Sequence, residues 1–116
     1  MIDKLTHITV AENNTEVIYP LAFTFNVLEE IQEEYGSFDA WKEKFDPKDG
    51  DIQIKDLKFT VKVMVNEGID IENDEKGENR PFVTNKKIGR ILTEIGMKNM
   101  TEQLKDVVTD SISSKN

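Results

Sequence analysis

Two hydrophobic periods run along the chain, and the switch between them lays out its elements. In "THITVAENNTEVIYPLA", Ile8 and Val10 bracket Thr9, and Val17 and Tyr19 bracket Ile18. A period of two predicts a pair of strands. Asn13-Asn14 can supply the positive φ angles of a tight primed turn, so the segment predicts a β-hairpin. Pro20 has no N–H for a ladder, which ends the second strand there or places it at an edge. Two strands alone are marginal and must lean on something. After Pro20 the period lengthens. Thr24 is a candidate cap for a helix carrying Phe25, Leu28, Ile31 and Tyr35 on one stripe, with Gly36 as its stop. Ser37 caps a short second helix with Phe38, Trp41 and Phe45 in line, and "DPKDGD" closes it as a loop.

Residues 51–67 fit both periods. Leu57, Phe59, Val61, Val63 and Val65 alternate as in a strand, while Ile54, Leu57, Val61, Met64 and Val65 keep helical spacing. Gly68 decides for a helix: as a left-handed cap it would bring Met64 and Ile69 into contact. "IDIENDEKGENRPF" then predicts a long polar loop. Thr84 caps a fourth helix, with Val83 and Ile88 at staple positions, Ile88, Ile91, Leu92 and Ile95 on its stripe, and Gly96 as its stop. Thr101 is expected to cap a last helix bearing Leu104, Val107, Val108 and Ile112. The predicted fold class is α+β: one domain over residues 1–112, with an N-terminal β-hairpin followed by a mostly helical bundle of about five helices. A frayed polar tail is expected at 113–116.

Charge changes this picture more than bulk composition does. The 116 residues carry a net charge of −8. Residues 1–58 hold 6 Lys and Arg against 13 Asp and Glu, a net of −7, and residues 59–116 hold 9 against 10, a net of −1. The field repels nucleic-acid phosphates and anionic membrane surfaces, so neither is an expected partner. The acidity peaks in "YPLAFTFNVLEEIQEEYG", where Glu29, Glu30, Glu33 and Glu34 crowd one helix. Like charges at i,i+4 cost roughly 0.2–0.5 kcal/mol per pair. Solubility explains them, and so does an acidic rim, with Glu30 and Glu34 in it, beside an apolar surface that a partner covers. The stripe Phe38, Trp41 and Phe45 has the same two explanations, core or interface anchor. These five residues are the candidate partner-binding set.

Motifs for chemistry are missing. His7 is the only histidine and sits in a predicted strand. There is no Gly-rich phosphate loop, no GxSxG and no HExxH. "DIENDEKG" and "DPKDGD" both fail the spacing of an EF-hand loop. Lys86, Lys87 and Arg90 form a small basic cluster best explained as a solvated face. No cysteine is present, which excludes disulfides and thiolate chemistry and fits a reducing compartment. No apolar run approaches the ~20 residues of a membrane span, and "MIDKLTHITV" lacks the features of a signal peptide. The expectation is a non-enzymatic cytoplasmic protein with no cofactor, no metal and no catalytic residue.

Two segments carry a resemblance. "YPLAFTFNVLEEIQEEYGSFDAW" and "VNEGIDIENDEKGENRPFVTNKKIGRIL" resemble the tail assembly chaperones of long-tailed phages and prophages of Gram-positive bacteria. The similarity runs from about Ile8 to Ile95. It rests on a hairpin ending in Tyr-Pro-Leu, an acidic helix ending in Tyr-Gly, an Asn-Glu-Gly helix end, and Arg-Pro before a Thr-capped helix. The resemblance implies a protein of the infected cell's cytoplasm that binds the tape measure protein and keeps it soluble while tail tube subunits polymerise around it. The tail tube protein is a further implied partner, a homo-oligomer is compatible, and the mature virion is not expected to contain the chain. A longer frameshifted product is common in the family. Two rivals stand beside this reading, an acidic DNA mimic that inhibits a host nucleic-acid-binding protein and a structural tail component.

Overall fold

In a computed structural model the chain is described over residues 5–113. It forms a two-stranded antiparallel hairpin, β1 (Thr6–Glu12) and β2 (Thr15–Leu21), followed by five helices: α1 (Phe25–Tyr35), α2 (Phe38–Phe45), α3 (Ile54–Lys76), α4 (Asn85–Ile95) and α5 (Met97–Ser113). The α+β class and the order of elements match the expectation from the sequence. The side chain of Ile112 and residues 114–116 of the expected tail lie outside the described residues.

The hairpin turns where its sequence demands. Asn13 and Asn14 take φ of 49° and 65°, and Glu12 pairs with Thr15 across them. Both angles are left-handed, a region Asn tolerates better than most residues. Ile8, Val10 and Tyr19 point into the core, and the hairpin's inner face leans on α4.

Helix α3 is the axle of the molecule. It packs against β2, α1, α2, α4 and α5. Neighbours on so many sides bury residues all around it, among them Leu57, Val61, Val63, Met64, Val65 and Ile69. That is why its sequence matched a strand as well as a helix. Gly68 does not cap it. The helix runs on to Lys76 and ends at Gly77, which holds the left-handed φ of 66°. Gly68 has a different duty: a Cβ there would lie 2.8 Å from the carbonyl carbon and oxygen of Pro20. The glycine lets α3 touch the backbone of β2, and the Ala22 N–H donates to the Met64 carbonyl at 3.2 Å.

The predicted fourteen-residue loop therefore shrinks to residues 77–84. It is stitched to α3 by two asparagines seven positions apart. Asn66 accepts from the Val83 N–H at 2.8 Å and donates to its carbonyl at 3.2 Å. Asn73 does the same for Arg80, both at 3.0 Å. Each side-chain amide serves the loop backbone as a neighbouring strand would.

Three local expectations change. Phe25 is 61% exposed, because α1 turns Val27 and Ile31 inward and Phe25 falls more than a quarter turn from that face. Thr24 precedes α1 without capping it; its hydroxyl donates to Glu67 instead. Helix α5 starts at Met97, and Thr101 lies within it, donating to the Met97 carbonyl at 2.7 Å. Ser37 and Thr84 do cap, accepting from Ala40 and Lys87 N–H groups.

Candidate functional site

Two elements that follow short loops frame a groove. Helix α2 packs on α1 and α3, and α5 packs on α3 and α4. Both helices pack on α3 and line a cleft between them. One lobe, of about 290 Å³, is lined by Phe38, Trp41 and Phe45 from α2 and by Val108 and Thr109 from α5. An adjoining lobe of about 500 Å³ continues past Phe45 to Ile52, Met97 and Thr101. The lobes share Phe45, Asp46 and Lys105.

The floor is rigid. Trp41 stacks on Phe45 with centroids 4.8 Å apart and an interplanar angle of 14°, and Phe38 tilts against Trp41 at 5.3 Å. Trp41 and Phe45 are core residues, 1% and 3% exposed. Phe38 is half-buried. A polar relay fixes the indole: Trp41 Nε1 donates to Thr60 Oγ1 at 2.9 Å, and Thr60 donates to the Asp56 carbonyl at 2.9 Å. Asp56 is itself buried and accepts from the Tyr35 hydroxyl at 2.6 Å. Burial, followed by that carboxylate, pushes the Tyr35 hydroxyl well above its ordinary range. The lips are charged. Lys105 meets Asp46 at 2.9 Å, with both side chains about half exposed.

Glu30 and Glu34 do not line this groove. All four glutamates of α1 are exposed, but Glu30 is turned toward α3. Burial, then the charges of Glu67 and Glu33, raise its pKa, with Lys62 opposing. Glu67 itself is held by Thr24 and by Asn26. The predicted set thus falls into two places, three aromatics beneath a groove and two glutamates on a separate face. The residues from α5 and from the 46–52 loop were not in the predicted set, because nothing local in the sequence says which helix and loop face α2.

The Tyr-Pro-Leu, Asn-Glu-Gly and Arg-Pro segments meet elsewhere, where the hairpin crosses α3. Pro20 lies on Gly68, the Arg80 guanidinium sits 4.9 Å over the Tyr19 ring, and Asn66 holds Val83 beside the Thr84 cap. They build the scaffold. His7 is exposed, with Nε2 at 2.7 Å from Glu72. Among the described residues no three His, Asp or Glu side chains are arranged to hold a metal ion, and no helix is long and apolar enough to cross a membrane. The chain matches no family model, no curated protein and no solved structure.

Proposed function

We propose that this chain is a non-enzymatic holding chaperone of the phage tail assembly type. In this reading it binds the tape measure protein in the host cytoplasm, keeps it soluble while the tail tube protein assembles, and is left out of the virion. The observation that supports it most is the cleft between α2 and α5, which runs over the Phe38, Trp41 and Phe45 stack of a strongly acidic molecule. A cleft of this kind suits apolar side chains from one face of a helix. Its lips are joined by an exposed ion pair, a contact worth about 0–1 kcal/mol, so they part at little cost. A holding chaperone needs such reversibility. The net charge of −8 gives the complex mutual repulsion that opposes clumping. The resemblance in "YPLAFTFNVLEEIQEEYG" and "VNEGIDIENDEKGENRPF" supplies the identity of the client.

Co-expression with a tape measure protein tests the reading. The client should move from the pellet to the soluble fraction and co-purify with the chain. A client that stays insoluble, with nothing bound to the purified chain, contradicts it.

A further inference from the structure

The two edges of the hairpin are unlike. Glu12 and Thr15 flank a two-residue turn and form a hydrogen-bonded pair, so Val10–Val17, Ile8–Tyr19 and Thr6–Leu21 are hydrogen-bonded pairs as well. The residues between them turn their backbone groups outward: Glu16, Ile18 and Pro20 on β2, and His7, Thr9 and Ala11 on β1. On β2 that outer edge is defended. Pro20 has no N–H, its backbone lies against Gly68 of α3, and the Arg80 guanidinium donates to the Ile18 carbonyl at 3.0 Å. These are ordinary ways of stopping strand addition. On β1, helix α4 packs along the strand and its Lys87 holds Glu12, but among the described residues no proline and no hydrogen bond blocks the outward positions. His7, Thr9 and Ala11 are all exposed, and among the described residues no hydrogen bond reaches their outward N–H or C=O groups.

We propose that β1 is a pairing edge for a second copy of this chain, joined antiparallel about a two-fold axis at Thr9. The register that places Thr9 against Thr9 sets His7 against Ala11 and Ala11 against His7. All three outward residues then meet hydrogen-bonded partners, each pair exchanging two bonds. The same register suits the side chains. Ile8 falls opposite Val10, which carries the apolar inner face across the seam, and Thr9 meets Thr9, a favourable cross-strand pair. Glu12 falls opposite Thr6, so no carboxylates are opposed. Shifting by two residues toward the turn would instead put Glu12 opposite Ile8. A closed two-fold uses up both free edges, giving a finite four-stranded sheet in place of two strands. The proposal is independent of what the α2–α5 groove holds.

The charges of two acidic copies repel, so added salt should tighten the dimer. Sedimentation of the full chain across a concentration series should show a monomer–dimer equilibrium that shifts to dimer in higher salt. Hydrogen exchange should show the Thr9 N–H protected in the dimer and open in the monomer. Thr9→Pro places at the β1 edge the same block that Pro20 supplies at β2. It should stay monomeric at every concentration at which the unaltered chain dimerises, with an unchanged circular dichroism spectrum. Three results overturn the proposal: a monomer at all concentrations to about 1 mM, a dimer whose Thr9 amide still exchanges freely, or an edge that takes an added extended peptide but no second copy. The exchange measurement uses the unaltered chain and stands even where Thr9→Pro fails to fold.

Discussion

Gly68 and Asp56 are the two positions where one atom decides most. In an exposed helix Gly→Ala stabilises by roughly 1 kcal/mol. At Gly68 the added methyl would meet the Pro20 backbone at 2.8 Å, and neither partner is a flexible side-chain end. Gly68→Ala should therefore destabilise, by roughly 1–3 kcal/mol as overpacking does. Urea unfolding reads the sign, and a gain in stability would mean that β2 does not press on α3 there. Asp56 is buried, and among the described residues its Oδ2 has no hydrogen-bond partner and Tyr35 is the one side chain that donates to Oδ1. Tyr35→Phe strips that donor away and should cost about 1–3 kcal/mol. An unfolding midpoint equal to that of the unaltered chain would show that Asp56 is satisfied in some other way.

Between the hairpin and α4 the link is electrostatic as well as apolar. Glu12 accepts from Lys87 of α4 and from the Tyr19 hydroxyl, and these bonds, Lys87 first, hold its carboxyl below the usual range despite its partial burial. The Tyr19 hydroxyl is pushed up to about 12, by burial first and then by Glu12. A lowered carboxylate pKa gives stability that is present above the unfolded value, near 4.3, and lost as pH falls through the folded one. Glu12→Gln should cost about 1–2 kcal/mol at pH 7, and the difference should close near pH 3. Urea titrations at the two pH values check it; a gap that persists in acid would assign the loss to packing.

Elements were legible where a local signal settled them. Asn13-Asn14, Ser37 and Thr84 each act within a turn of their own position, and the hairpin, α2 and α4 fall where those residues put them. Gly68 misled because a cap glycine and a close-approach glycine look alike until Pro20 is seen beside it. Thr101 misled for a related reason: a threonine can back-bond within a helix as readily as it caps one. The aromatic floor of the groove was legible as the stripe Phe38, Trp41 and Phe45. Its α5 wall was not, since which helix faces α2 is a tertiary fact.

At the scale of the whole molecule, the proposed function gives charge and cleft separate duties. Extents of 37 × 31 × 22 Å leave room for only one core, and α3 runs through it. None of the α1 glutamates lines the α2–α5 groove, so under the proposed function dispersal and client binding are separable. Thr109 offers the sharpest test of the groove. It is exposed, lines the smaller lobe beside Val108, and takes no part in the buried core. Thr109→Trp should fill that lobe without disturbing the fold. The measurement is the amount of tape measure protein held in solution by the variant relative to the unaltered chain, with thermal unfolding run alongside. An occupied cleft predicts at least a tenfold loss, about 1.4 kcal/mol, at an unchanged melting temperature. A variant that melts normally and holds the client as well as before would show that the cleft is not where the client binds.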